Sequence, residues 1–289
     1  KIYLKEIDKF NKCNKAYYDL DSPIVSDQEY DSLKAEIISF EKKYKLLKSK
    51  FSPSISVGYK LSNKFKKIKH KVPMLSLSNA FSEKDIVDFI KKIRNFLKLN
   101  NDFKIEISVE PKIDGISASL LYVNGELKLG LSRGDGNIGE DITSNIRTIK
   151  NIPKTLKGSK LPNTIEIRGE VYISKKDFKN IKNKFANPRN AAGGSLRQKD
   201  PSETKKIALQ FMAYSFGFVD RELFKFQSEY ISCLKEWGFE TSLHNEVLFD
   251  IKEIMQNYLE LENKRSEIEY DIDGIVYKIS DLNLQKRLG

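Results

Sequence analysis

The chain has 289 residues, 39% of them hydrophobic and 31% charged, with 17 Phe and 13 Tyr. That apolar content excludes a disordered chain, and the length accommodates one large domain or a large domain with a small companion. The formal net charge of +11 points to an anionic partner, nucleic acid first, although the excess is mostly Lys scattered along the chain, which genome composition also produces. Cys13 and Cys233 show no CxxC or Cys/His spacing, which excludes a zinc site of that kind. Both sit at apolar positions of helical patterns and are expected to be buried thiols. No 18-residue apolar run and no signal-peptide core occur, so the expectation is a cytoplasmic chain with no membrane partner. The chain opens on Lys1 and stops at Gly289 without a clear helix cap, which makes it an expected piece of a longer protein.

Residues 1–64 read as a small helical unit. Leu4, Ile7, Phe10, Cys13 and Tyr17 recur at helical spacing, and Asp21-Ser22-Pro23 breaks the pattern. Ser26 with Glu29 forms a capping box, followed by Tyr30, Leu33, Ile37, Phe40, Tyr44 and Leu47. Two amphipathic helices make a hairpin, and Lys48–Lys71, rich in Ser and Lys, reads as a linker. Tyr17, Tyr18, Asp27, Tyr30 and Asp31 converge near one turn. Helix capping and core tyrosines account for that grouping, as does a pocket for a flat cationic ring.

From Pro73 the chain changes character to α/β. Ser82–Asp85 caps a helix with Ile86, Phe89, Ile90, Ile93 and Leu97 on one face. Ile105, Ile107 and Val109 then alternate with Glu106, Ser108 and Glu110, and continued parity places Lys112 and Asp114 on the polar side. The strand delivers Lys112 into a tight turn backed by Asp114 and Gly115. A lysine amine is a nucleophile only when deprotonated, which desolvation or a nearby cation promotes; a charged surface turn has the same residues. A second strand, Ile116 to Tyr122, returns through an Asn124-Gly125 hairpin signal and Leu127, Leu129 and Leu131 to Arg133-Gly134-Asp135-Gly136. In Thr164–Ile173, Glu166, Arg168, Glu170 and Tyr172 share a face, and Gly169 permits close approach of a ligand or backbone. Asn187–Asn190 and Gly193–Gln198 read as a polar loop whose arginines suit phosphate. Ala208–Val219 is a strand with Gln210, Met212, Tyr214 and Phe216 on one face; Phe226, Tyr230, Leu234 and Trp237 mark a helix; Asp271–Lys278 is a strand ending in a second lysine.

Lys112, Arg133, Glu170 and Lys278 thus lie at strand ends. The basic side chains suit a polyphosphate and favour the neutral form of Lys112, while Glu110 and Glu170 suit a ribose hydroxyl, an amine or a metal. That inventory fits nucleotidyl transfer through a phosphoramidate.

Lys112-Ile113-Asp114-Gly115 resembles the Lys-x-Asp-Gly motif of the covalent nucleotidyltransferases. Several further runs, in order, resemble the bacterial NAD⁺-dependent DNA ligases. They are Tyr17-Tyr18 with Asp27-x-x-Tyr30-Asp31, Val72–Leu77, Arg133–Gly136 with Gly139–Thr143, Arg168–Val171, Phe185–Ala192 with Gly194–Gln198, and Asp273-Gly274-x-Val276-x-Lys278. The resemblance implies an α+β architecture with a helical hairpin over 1–64 and a nucleotidyltransferase core, ATP-grasp-like and mainly antiparallel, over 65–289. It implies that Lys112 becomes adenylated; that Ser76, Leu77 and Glu110 contact the adenosine; that Arg133 and Glu170 bind the ribose; that Tyr214 stacks on the adenine; and that Lys278 contacts the phosphates. The hairpin set Tyr17, Tyr18, Asp27, Tyr30 and Asp31 would grip the nicotinamide mononucleotide half, with Tyr18 standing where many relatives carry His. NAD⁺ and Mg²⁺ are the implied cofactors, with zinc only in a C-terminal part of the family's full-length chains. Nicked duplex DNA is the implied partner of a monomer acting in DNA replication and repair. An ATP- or GTP-using nucleotidyltransferase and a non-catalytic basic nucleic-acid-binding module are the rivals. Deleting residues 1–64 separates the first rival: the NAD⁺ reading expects self-adenylation by mass spectrometry to be lost, and an ATP or GTP enzyme would keep it.

Overall fold

The computed structural model describes residues 2–18, 24–25, 27–44, 49, 52, 65–100 and 102–289, without the side chains of Ile2, Tyr17, Tyr18, Asp27, Gln28 and Asp31. The α+β class holds, with antiparallel sheets throughout the strand pairs. Helices α1 (Ile2–Tyr18) and α2 (Asp27–Lys43) pack together through Tyr3, Ile7, Phe10 and Cys13 on one side and Leu33 and Ile37 on the other. The expected stripe is displaced at its start: Leu4 is exposed, and Tyr3 is buried instead. Tyr3 can take that place because its ring stacks on Phe40 while its phenol donates to Glu41 Oε1 at 2.6 Å. Phe40 and Tyr44, expected in the second stripe, stay 37% and 45% exposed at its edge. The break at Asp21–Pro23, the capping Ser26, Leu47 and most of the expected linker lie outside the described residues. That linker does not extend to Lys71, because Lys67–Lys69 forms strand β1.

Ser82 caps α3 (Glu83–Leu97), accepting from the Asp85 N–H while the Asp85 carboxylate accepts from the Ser82 N–H. Strands β2 (Ile107–Ile113), β3 (Ile116–Val123), β4 (Glu126–Ser132) and β5 (Ile138–Glu140) follow, then the short helix α4 (Thr143–Ile146). The β3–β4 turn has the two positive φ values, 51° at Asn124 and 76° at Gly125, that an Asn-Gly hairpin requires. Strand β6 (Thr164–Ile173) leads to α5 (Lys175–Lys179), α6 (Pro188–Leu196) and α7 (Pro201–Lys205), and then to β7 (Leu209–Val219), α8 (Gln227–Glu236) and β8 (Glu246–Leu248). Helix α9 (Ile251–Lys264), β9 (Ile272–Ile279) and α10 (Leu282–Leu288) complete the chain.

The expected polar loop over Asn187–Gln198 is a helix over most of its length. Asn187 accepts from the Asn190 N–H at 2.7 Å as the N-cap, Pro188 occupies the first turn, and Ala191, Ala192 and Leu196 are buried. The glycines that suggested a loop cost helix propensity, and burial of that apolar face outweighs it.

Besides the two-stranded β1–β5 pair there are two larger sheets, bridged by Gln227, which donates to Glu110 on one and to the Tyr214 carbonyl on the other. The larger has the order β4-β3-β6-β7 and the smaller β8-β2-β9. The larger packs its apolar face against α4, α6 and α8 around Tyr122, Phe211, Tyr230 and Trp237. The smaller packs Ile107, Val109 and Ile279 against α3, α9 and α10. Ser108 and Glu110, on the opposite face of β2, are buried as well, so the polar face of this strand does not meet bulk solvent. It faces the space between the sheets.

Strand β7 departs from simple alternation. Arg168 pairs with Ser215 and Gly169 with Ala213, so Tyr214 is an extra residue bulged out of the ladder. Phe211 and Ala213 lie in the larger core, and beyond the bulge Phe216 packs on that same core instead of sharing a face with Tyr214. Gly169 opposes this bulge. A Cβ there would stand 2.3 Å from Phe211 Cζ and 2.4 Å from the Met212 carbonyl oxygen, so the close approach is to strand β7. Gly169→Ala is expected to lower the unfolding free energy by about 1–3 kcal/mol through overpacking, measured by urea denaturation. An unchanged midpoint would contradict this packing.

Candidate active site

Lys112 stands where β2 ends against β9. The ladder pairs Glu110 with Val276 and Pro111 with Ile275, then resumes at Ile113 with Ile272, so β9 carries one extra residue in its Asp273–Gly274 stretch. Gly274 takes φ 140°, a backbone conformation suited to glycine. This bulge brings the Asp273 carboxylate onto Lys112 Nζ as a direct ion pair. The sequence reading assigned neighbouring cations to Lys112; the structure gives it an anion. Asp114, two residues on, pairs with Arg189 of α6 at 2.9 Å.

Glu110 is 3% exposed and fully engaged. Its Oε2 accepts from Lys278 Nζ at 2.6 Å, and its Oε1 accepts from Gln227 Nε2 at 3.0 Å and from Ser108 Oγ at 3.3 Å. Gln227, at the first turn of α8, also donates to the Tyr214 carbonyl at 2.9 Å. Lys278 Nζ lies 5.4 Å from the Tyr214 ring centroid, within cation–π range. Register explains the meeting: Ser108 lies opposite Lys278 in the β2–β9 ladder.

Arg133, at the end of β4, donates from Nη2 to Ser76 Oγ at 2.9 Å and from Nε to the Met74 carbonyl at 3.4 Å. The segment carrying Ser76 is tied down elsewhere too. Arg168 donates to the carbonyls of Val72 and Pro73, and the Met74 N–H donates to the Gly136 carbonyl at 2.8 Å. Leu77, next to Ser76, is exposed.

Glu170 of β6 is buried, and Ser117 Oγ donates to its Oε2 at 2.9 Å. Burial pushes its carboxyl up to about 7, against the opposing pull of Arg189, the Ser117 hydrogen bond and Lys112, while Asp114 adds to the rise. Of the four residues that share the polar face of β6, Glu170 meets the lysine turn. Arg168 clamps the 72–73 backbone and lies 3.8 Å from Glu166, and Tyr172 is part of an apolar cluster with Met212 and Tyr270. The Tyr214 phenol is held neutral by burial and lies within hydrogen-bonding reach of Ser117.

The structure therefore brings together Lys112, Glu110, Glu170, Tyr214 and Lys278 from both sheets, and holds Arg133 with Ser76. The side chains of Tyr17, Tyr18, Asp27 and Asp31 lie outside the described residues. Tyr30 belongs to the hairpin's own packing: its phenol donates to Asn14 Oδ1 at 2.6 Å and its ring stacks on Phe10 at 5.1 Å. Sequence reasoning missed Asp273, Gln227, Ser117 and the Asp114–Arg189 pair as site members. Asp273 had a signal, since it sits in the quoted Asp-Gly motif, but its contact depends on the bulge. Gln227 had none.

Residues 62–289 match the family model of the NAD-dependent DNA ligase adenylation domain, and residues 5–58 match that of the DNA ligase-like N-terminal NAD⁺-binding domain. The chain belongs to the NAD-dependent DNA ligases. It is 58% identical over 287 residues to a DNA ligase of Pelagibacter ubique, covering 99% of this chain and 42% of that protein. A DNA ligase of Rickettsia massiliae is 48% identical over 290 residues, covering 98% of this chain and 42% of that protein. The chain thus spans about two fifths of the length of the curated relatives it matches. Family membership sets it beside ligases that use NAD rather than ATP or GTP.

Glu170 ties this site to stability. Its folded carboxyl titrates at about 7, above the ordinary 4.5. Between those values the native chain holds a proton that the unfolded chain releases, so stability falls as pH rises through the window and levels off above it. The total is about 3 kcal/mol. Glu170→Gln carries no such proton, so its stability relative to the parent chain is expected to rise by about that amount between pH 4.5 and pH 7.5, read from urea unfolding. A difference that stays flat with pH would overturn the assignment.

Proposed function

We propose that this chain accepts AMP from NAD⁺ on Lys112, as the adenylation region of a ligase that seals nicked duplex DNA. The observation that carries the reading is the Lys112–Asp273 contact at the mouth of a site whose back wall is the buried Glu110–Lys278 pair. The chain is divided into a helical unit over 1–64 for the nicotinamide mononucleotide half and a nucleotidyltransferase unit over 65–289.

The reaction begins with loss of a proton from the Lys112 ammonium, for which Asp273 is the acceptor in contact. The amine then attacks the phosphorus of the AMP half. A nitrogen–phosphorus bond forms, the phosphorus–oxygen bond to the bridging oxygen breaks, and nicotinamide mononucleotide leaves with that electron pair. Ser76, Leu77, Glu110 and Tyr214 hold the adenosine, Tyr214 by stacking on the adenine. Arg133 and Glu170 hold the ribose, and Lys278 contacts the phosphates. Tyr17, Tyr18, Asp27, Tyr30 and Asp31 hold the leaving half.

The donor set suits a Mg²⁺ that arrives on substrate phosphates. Such an ion takes one or two carboxylates and keeps its waters, and Asp273 and Glu170 both lie near Lys112. Among the described residues no cluster of His, Cys, Asp or Glu forms a dedicated cage. When bound, the ion would offset negative charge on the phosphates. In the longer protein, AMP passes to the 5′-phosphate of a nick and the phosphodiester is closed; the net charge of +11 favours the approach of DNA. Among the described residues no helix is long and apolar enough to cross a membrane.

Incubation with NAD⁺ and Mg²⁺ is expected to add one AMP to the chain by intact mass, with none on Lys112→Ala. Asp273→Asn is expected to slow the adduct by about 10²-fold or more, the size of a general-base contribution. An adduct surviving Lys112→Ala would sink the assignment, and an adduct formed from ATP instead of NAD⁺ would favour an ATP-using enzyme.

A further inference from the structure

The segment that leaves β6 carries positive charge that the fold does not neutralise. Lys175, Lys176, Lys179, Lys182 and Lys184 fall in the ten residues from 175 to 184, against one carboxylate, Asp177. Asp177 is already engaged: Ser174 caps α5 by accepting from the Asp177 N–H at 3.0 Å, and its Oγ donates to Asp177 Oδ2 at 2.7 Å. Lys175 is engaged as well, donating to the Arg265 carbonyl at 2.9 Å and lying 3.9 Å from Asp271. Lys176, Lys179, Lys182 and Lys184 are exposed, and none of them has an ion pair or side-chain hydrogen bond among the described residues.

Backbone hydrogen bonds set these lysines in a row. The Asn180 N–H donates to the Asp177 carbonyl at 3.1 Å, the Ile181 N–H to the Phe178 carbonyl at 2.9 Å and the Lys184 N–H to the Ile181 carbonyl at 2.9 Å, so the chain continues past α5 in three-residue turns. Residues three apart are neighbours on an α-helix and eclipse in such turns. That aligns the exposed Lys176, Lys179 and Lys182, while Phe178 and Ile181 are half-buried. A rise of about 2 Å per residue separates successive lysines by about 6 Å, near twice the roughly 3.4 Å axial spacing of phosphates along one DNA strand. The helix dipole accounts for Lys176 and Lys179 in the last turn of α5, but Lys182 lies beyond the helix. The row also starts at the lysine turn. The Asp271 carbonyl accepts from the Asp114 N–H at 2.9 Å, the Asp271 carboxylate lies beside Lys175, and the Lys175 N–H donates to the Glu269 carbonyl at 2.8 Å. Helix α5 packs as well against α6, whose Arg189 holds Asp114.

We propose that Lys176, Lys179 and Lys182 form a track for the phosphate backbone of the nicked duplex, laid beside the Lys112 turn. The inference rests on the reading of Lys112 as the residue that passes AMP to a nick, because that step requires duplex at this turn. Exposed ammonium groups on flexible stems meet phosphates as point charges and read no base, so the track contributes affinity and register on any sequence. Each lysine that meets a phosphate releases a condensed counterion, which makes its contribution depend on salt.

The test is binding of a fluorescently labelled nicked duplex by the chain, followed by anisotropy between about 50 and 200 mM salt. Three proteins are compared: the parent, the triple variant Lys176→Gln, Lys179→Gln and Lys182→Gln, and the triple variant Lys84→Gln, Lys91→Gln and Lys92→Gln. The second triple removes the same charge from exposed positions of α3, which packs on the apolar face of the smaller sheet. The first triple is expected to lower the steepness of log K against log salt by about 2 to 3 and to weaken binding about 10-fold or more at the low-salt end. The second is expected to change the slope by less than about 1. Both should form the AMP adduct on Lys112 from NAD⁺ at the parent rate. Equal losses in the two triples, an unchanged slope in the first, or no duplex binding by the parent at the lowest salt overturns the track while leaving the reading of Lys112 intact. A slower adduct in the first triple places these lysines at the nucleotide instead and overturns the track as well. A parent chain that forms no adduct from NAD⁺ overturns the reading of Lys112, and this inference with it.

Discussion

The Glu110 carboxylate is a polar point at which the two sheets are joined. It is buried, and it receives donors from β9 through Lys278, from α8 through Gln227 and from its own strand through Ser108. An ionised carboxylate removed from water costs several kcal/mol unless it is paired and hydrogen-bonded. Each donor is therefore constrained by the penalty that its loss would expose. Gln227 passes the constraint on, because the same Nε2 that holds Glu110 also holds the Tyr214 carbonyl of the opposite sheet. Hydrogen bonds at the floor of the cleft thus hold the sheets together there, beside an apolar cluster that joins Tyr172 and Met212 of one sheet to Ile113 and Ile272 of the other.

The two lysine–carboxylate pairs of the site differ in the property that matters for chemistry. In the Glu110–Lys278 pair the side chains are 4% and 19% exposed, and breaking such a pair by removing one partner leaves a buried uncompensated charge. In the Asp273–Lys112 pair they are 27% and 41% exposed, so water can take over either charge at little cost. The frame is consequently rigid where the nucleoside is read, and the amine that must change protonation state and partner is only loosely tethered. Both pairs lie on the same strand pairing, separated by the Asp273–Gly274 bulge that ends the regular ladder.

Local signals in the sequence carried most of the fold. The alternation from Ile105 to Glu110, the Asn124-Gly125 turn and the Ser82 capping box are each settled within a few residues, and each appears as expected. What was not legible depends on partners distant in sequence. Strand parity gives the side on which Tyr214 and Phe216 lie only if no residue is inserted, and the bulge at Tyr214 arises from its pairing with Arg168 and Gly169. The Asp273 contact with Lys112 is likewise created by a one-residue surplus on β9. Helix α6 was hidden by its glycines, whose propensity cost is visible in sequence while the burial that offsets it is not. Tyr3 displaced Leu4 from the hairpin core because Glu41 is placed to receive its phenol, a relation between residues 38 positions apart.

The segment from His70 to Ser76 shows why positions outside the cleft belong to the site. His70 is buried, with Nε2 3.1 Å from the Arg133 carbonyl, and burial holds its imidazole below the ordinary range and neutral. Arg133 reaches back to the Met74 carbonyl and the Ser76 hydroxyl, and Arg168 grips Val72 and Pro73. The contacts close a ring: the segment holds the turn that presents Arg133, and Arg133 holds the segment that presents Ser76. A neutral His70 with one nitrogen on a carbonyl fits such a ring. A charged one would bury a second proton on Nδ1, which has no hydrogen-bond partner among the described residues. The geometry of Arg133 and Ser76 therefore depends on a histidine in the interior and an arginine on β6. Neither of them needs to touch a nucleotide to govern how one is held.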